Sequence, residues 1–169
     1  LLSPRSVLFV CFSAEEKGLR GSLAFAARPP VPLDRVVADV NIEMIGRPLP
    51  GREKQAWITG PGYSDFAAIA GPALQRAGIE LVDFEMQDPL FAQSDNWSLA
   101  LTDVVAHSIS AGSLHKDYHQ PSDEVQKLDL EHMTAVIRGL LEVTREFADR
   151  EQRPAYNDKG KAVVARRRR

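Results

Sequence analysis

Two adjacent carboxylates, Glu15 and Glu16, follow directly on the apolar run "SVLFVCF" at residues 6–12. A third, Glu43, stands among Val40, Ile42, Met44 and Ile45, where an unpaired charge would be costly to bury. Far downstream, "HKDYHQPSD" gathers His115, Asp117, Tyr118, His119 and Asp123 into one short segment. Carboxylate and imidazole are donors that a borderline cation such as zinc accepts, and the lack of clustered cysteines argues against a structural zinc knot. With a metal present, adjacent glutamates divide the work. One binds the ion; its neighbour cannot reach the same position, so it turns to a metal-bound water and takes its proton. Each feature also has an ordinary structural explanation. Paired glutamates suit the first turn of a helix, Arg47 would neutralise Glu43, and the His/Asp segment would serve as a polar turn. His107, inside an apolar run, reads as a hydrogen-bonded core residue, and His132 as a surface or packing residue.

These residues must be positioned by the elements around them. Residues 6–12 are apolar on both alternating faces, the pattern of a strand covered on both sides. "GLRGSLAFAAR" reads as a helix ended by Pro29 and Pro30, "RVVADVNIEMIG" as a second inner strand and "AWITG" as a shorter one. Residues 64–77 have helical periodicity, with Gly71 and Pro72 expected to bend or split the helix. "IELVDFEM", the short helix "SDNWSLAL" and the strand "DVVAHSIS" follow. "LDLEHMTAVIRGLLEVTREFADR" carries the clearest helical stripe, through Met133, Val136, Ile137, Leu140, Leu141 and Phe147, with Asp129 as N-cap. Beyond residue 150 the apolar pattern stops, so residues 151–169 are expected to be a disordered tail.

Strands alternating with helices predict a three-layer α/β/α sandwich with a mostly parallel sheet, whose ligands bind beyond the carboxyl ends of the strands. The acids and imidazoles all fall just after apolar runs, so they are expected at that shared edge. With 169 residues, 44% of them hydrophobic, one core-forming domain is expected. A formal net charge of -2 supplies no global attraction to nucleic acid or anionic membrane, and the closing "RRRR" reads as a solvated end. The single cysteine, Cys11, permits no intrachain disulfide and is expected to pack in its strand.

"FVCFSAEEKGLRGS", "VNIEMIGR", "QSDNW" and "HKDYHQPSDEVQKLD" resemble, in order and context, the co-catalytic zinc aminopeptidases of metallopeptidase clan MH, relatives of aminopeptidase Y and bacterial leucyl aminopeptidase. The similarity runs over residues 6–147. It implies a mixed sheet between helices with two zinc ions at its carboxyl edge, and hydrolysis of peptides at a free N-terminus. By motif, Glu15 resembles the general base, Glu16 a ligand of one zinc and Glu43 a ligand of the other, where the family usually has aspartate. His119 resembles the last zinc ligand and Tyr118 the phenol that stabilises the oxyanion. Asp95 matches a supporting aspartate, while Asn96 replaces a family histidine. The family also places a His-x-Asp motif upstream of the double glutamate. None stands there, and all four histidines lie downstream. Residues 1–150 are therefore expected to be the C-terminal portion of a catalytic domain, impaired or inactive alone. A one-zinc transferase similar to glutaminyl cyclase and a non-catalytic relative serving as an interaction surface are the alternatives. The pocket for the first substrate side chain is expected among Phe84, Met86, Phe91 and Trp97.

Overall fold

The computed structural model describes residues 3–48 and 50–167. Its elements in chain order are α1 (Arg20–Ala27), β1 (Asp39–Glu43), β2 (Gln55–Ile58), α2 (Phe66–Arg76), β3 (Glu80–Leu81), α3 (Gln87–Leu90), α4 (Asn96–Ala100), β4 (Ala106–Ser110), α5 (Leu130–Asp149) and α6 (Asp158–Arg167). The strands lie in the order β1-β4-β2-β3. β1 runs parallel to β4, with Asp39 opposite Ala106 and Glu43 opposite Ser110. β2 is antiparallel to β4 and parallel to β3. Glu43 and Ser110 therefore end their strands at the same edge of the sheet.

Alternation along β4 separates the two helical layers. Ser108 donates to Asn96 of α4, whereas the ring of the next residue back, His107, packs 4.8 Å from Phe66 of α2. α1 packs on α4, and α2 on α5, with Phe66 and Phe147 stacked at 4.8 Å. The result is the expected sandwich around a mixed sheet. α5 matches its expected span closely: Asp129 caps it by accepting from the His132 N–H at 2.9 Å. Val136, Leu140, Val143 and Phe147 are buried, whereas Ile137 and Leu141 stand about half exposed.

Several elements depart from expectation for local physical reasons. Residues 6–12 form no strand, and Val7, Leu8, Phe9 and Val10 are exposed. A run apolar on both faces becomes an inner strand only beside a ladder partner, and among the described residues it has none. It is tethered at its ends instead. Arg5 donates to the carbonyls of Phe147, Arg150 and Glu151, and Ser13 accepts from the Gly21 N–H. Cys11 is consequently exposed rather than packed. α2 runs unbroken through Pro72. Pro72 and Ala68, whose carbonyl loses its helical partner, both face solvent, so no buried acceptor is orphaned. β3 has two residues where a longer strand is expected over residues 79–86, and the rest of that stretch leads as loop and turn into α3.

Residues 156–167 are also not a disordered tail. Tyr156 is buried, its hydroxyl donating to the Val104 carbonyl and accepting from the Ala106 N–H, both at 3.1 Å. α6 follows and buries Val164. Gly160 permits this seating, since a Cβ there would lie 2.0 Å from the Tyr63 carbonyl oxygen. Gly160→Ala is expected to lift α6 and cost about 1–3 kcal/mol, read as a lower urea midpoint. An unchanged midpoint would contradict this packing. The closing arginine run, expected as a solvated end, lies partly outside the described residues.

Candidate active site

A cleft of about 250 Å3 opens at the carboxyl edge of β1, lined by Glu15, Glu16, Asn41, Glu43, Ser94, Asp95 and Tyr118, with Ile42 and Met44 beside them. Glu15 and Glu16 enter on a single 3-10 turn, Glu15–Lys17, preceded by Ala14 and followed by Leu19, both left-handed at φ 57° and 56°. Met44, just after β1, has φ 49°, and His119 has φ 58°. Left-handed backbone at non-glycine residues costs about 1–3 kcal/mol each and persists only where its surroundings hold it. Here it aims three short segments at one place: the Glu15–Lys17 turn, the end of β1 and the turn at His119. Gly112 allows the Met44 turn, because a Cβ there would lie 2.2 Å from the Met44 carbonyl oxygen.

Period-two alternation puts Asp39, Asn41 and Glu43 on the α4 face of β1. Asn41 donates to Ser94 at 2.9 Å and to Ser108 at 2.8 Å, and Ser94 hydrogen-bonds the Glu43 carboxylate. Asp95 is buried and accepts from Ser22 of α1. Asn96 does not face the cleft. Fully buried, it donates to the Phe91 carbonyl at 3.0 Å and accepts from Ser108, tying α4 to β4.

The late segment closes the cleft. His119 Nε2 lies 2.7 Å from Glu16 Oε1, and the Tyr118 ring stacks on the His119 imidazole at 3.9 Å. Arg47, expected beside Glu43, instead donates to Asp117 at 2.9 Å and Asp123 at 2.6 Å. Asp117 also accepts from Ser122 and Lys127, and these donors hold its carboxyl far below the usual carboxylate range. The chain's own His-x-Asp, His115 with Asp117, therefore belongs to this segment's anchorage.

Crowded acids set the electrostatics. Burial, then Glu16, Glu43 and Asp95, push the Glu15 carboxyl up to about 7, with His119 opposing. Burial also raises Glu43, against the Ser94 hydrogen bond, with Asp95 and Glu16 adding to the rise. Tyr118 is raised by burial and by Glu16, Glu43 and Glu15, so it remains a phenol able to donate. A cation in the cleft would relieve this repulsion.

The donor set suits zinc in kind, and Glu16 and His119 face each other at hydrogen-bonding distance, 2.7 Å. Among the described residues, no three His, Cys, Asp or Glu side chains are grouped so as to hold an ion. The other two histidines are structural. His107 is buried between the Thr59 carbonyl at 2.7 Å and Ser64 at 2.8 Å. His132, also buried, accepts from the Lys54 N–H and lies 2.9 Å from the Ala111 carbonyl.

Of the expected specificity residues, Phe91 and Trp97 lie in the core, Phe84 stacks on Trp57, and neither they nor Met86 line the cleft. Asn41, Ser94 and Ser22 join the site without being expected there from the sequence. Asn41 stands two residues before Glu43 on the same strand, a period-two signal that marks it as a neighbour.

The architecture is that of solved aminopeptidases. LapA aminopeptidase from Legionella pneumophila superposes with a TM-score of 0.68 at 23% identity, over 83% of this chain and 38% of that one. BSAP, a zinc aminopeptidase from Bacillus subtilis, gives 0.68 at 17% identity over 83% and 35%. An aminopeptidase from Aneurinibacillus sp. strain AM-1 gives 0.62 at 18% identity over 84% and 33%. The chain therefore spans little more than a third of these relatives' length. A search of curated proteins finds no match. The model of peptidase family M28 matches residues 2–144, and the chain belongs to that family.

Proposed function

We propose that this chain is the part of a zinc-dependent aminopeptidase that carries the general base and some of the metal ligands. The observation that carries the reading is the convergence of Glu15, Glu16, Glu43, Asp95 and Tyr118 on one cleft, with His119 2.7 Å from Glu16. Glu16 and His119 would hold one zinc, and Glu43 would serve the other. Bound there, zinc would polarise the scissile carbonyl and lower the pKa of the attacking water.

The chain's own residues supply the rest. Glu15, whose carboxyl burial and the neighbouring acids push up, takes a proton from the water and returns it to the leaving amine. The Tyr118 phenol donates to the oxyanion as it develops. Carboxylates around the cleft favour a substrate with a free, positively charged N-terminus, which points to exopeptidase action. Asp95 acts behind them, held by Ser22.

The test is hydrolysis of aminoacyl-nitroanilides by the enzyme that contains this chain, together with metal analysis. Zinc should co-purify, chelation should abolish hydrolysis, and N-acetylation of the substrate should block cleavage. Hydrolysis indifferent to chelation would refute the zinc requirement, and equal cleavage of acetylated substrate would refute the exopeptidase assignment. The 169-residue chain alone, offering part of a shell, is expected to be inactive. Tyr118→Phe should lower kcat by about 10²-fold, with KM little changed. Unchanged kcat would remove Tyr118 from the mechanism.

A further inference from the structure

We infer that Arg47 is a positioning residue that clamps the turn carrying Tyr118 and His119 to the end of β1. Arg47 stands four residues beyond Glu43. Its two terminal nitrogens go to different carboxylates, Nη2 to Asp117 at 2.9 Å and Nη1 to Asp123 at 2.6 Å. These acids flank Tyr118 and His119 in sequence, so one guanidinium grips both sides of the turn.

Other contacts make the grip rigid. Asp117 is 7% exposed, and its other oxygen accepts from Ser122 at 2.7 Å and Lys127 at 3.0 Å. Within the turn, the Tyr118 N–H donates to the His115 carbonyl and the Gln120 N–H to the Asp117 carbonyl, both at 2.9 Å. Next to Arg47, the Gly46 carbonyl accepts from the Asp129 N–H at 2.8 Å. The backbone on both sides of the ion pairs is therefore anchored, and the clamp fixes the turn bearing Tyr118 and His119 against the end of β1, which carries Glu43. The planar guanidinium holds its two N–H directions fixed, whereas an ammonium carries all its donors on one nitrogen at the end of a flexible stem, so lysine would satisfy the two carboxylates less well.

The inference rests on the aminopeptidase reading only for its consequence, which is that Arg47 holds two groups of metal ligands in register. Its test uses two independent readouts on Arg47→Gln and Arg47→Lys, made in the enzyme that contains this chain. The first is the rate at which the His119 ring N–H exchanges with water in metal-free protein, followed by NMR. The second is zinc affinity by competition with a chromophoric chelator. Arg47→Gln should speed the exchange at least about tenfold and weaken zinc binding about 10–100-fold, with Arg47→Lys intermediate in both. A merely structural ion pair would lower thermal stability without moving the His119 signal in this graded way.

His119 exchange and zinc affinity within twofold of wild type in Arg47→Gln would overturn the clamp. Should wild-type protein bind no zinc, the aminopeptidase reading fails, and the clamp is decided by His119 exchange alone: accelerated exchange supports it and unchanged exchange overturns it. Should Arg47→Gln not fold, Asp123→Asn removes the more exposed arm and is measured in the same two ways. Faster exchange in that variant supports the clamp, and wild-type exchange overturns it.

Discussion

Glu15→Gln is expected to reduce peptide hydrolysis by roughly 10²–10⁴-fold while leaving bound zinc unchanged. Glutamine keeps the size and one acceptor of glutamate but cannot take a proton, so only proton transfer is removed. Glu16 and His119 touch each other directly and do not depend on Glu15. The loss should fall on kcat, because the proton moves in the chemical step. Activity retained in the variant would show that another group is the base. Activity lost together with the metal would show that Glu15 is a ligand and that the roles of the two glutamates are exchanged.

The second large effect concerns stability. Burial lowers the His107 imidazole from 6.5 to about 4, against the Thr59 carbonyl bond and the charge of Asp65, which raise it. As pH falls, the unfolded chain takes up this proton first. The contribution of His107 to stability is therefore complete above pH 6.5 and is lost between 6.5 and 4. The gap corresponds to about 3 kcal/mol. Buried acids work in the opposite direction: burial, with the charge of Asp95 adding, raises Asp39 to about 7, so its contribution is lost as pH rises. The difference between wild type and His107→Gln cancels such terms. Urea unfolding across this range should show the wild-type advantage shrinking by about 3 kcal/mol from pH 7 to pH 4. A constant difference would contradict a neutral buried imidazole.

Sequence patterning made α5 and β4 legible because their burial follows a local period. The same reasoning failed where the outcome depended on a distant partner. Residues 6–12 have the pattern of an inner strand, yet a ladder needs a neighbour that no local pattern can supply. Tyr156 and the short apolar run at residues 162–165 stand in an otherwise charged and polar stretch, so composition hides a helix that buried Tyr156 and Val164 and a glycine seat firmly. At the candidate site, the donors were visible by type. Their convergence depends on the parallel register of β1 with β4 and on left-handed backbone at Ala14, Leu19, Met44 and His119. None of these four is a glycine, so nothing in the sequence announces the turns. Arg47 shows the same limit. Its nearest acid in sequence terms is Glu43, but the chain turns after β1 and delivers its fork to Asp117 and Asp123.

Anomalous diffraction at the zinc edge, from crystals of the zinc-loaded enzyme containing this chain, tests the central claim most directly. A peak bonded to both the Glu16 carboxylate and His119 Nε2, at about 2.0–2.2 Å from each, is the predicted result. Zinc bound elsewhere, with Glu16 and His119 still hydrogen-bonded to one another, would contradict it.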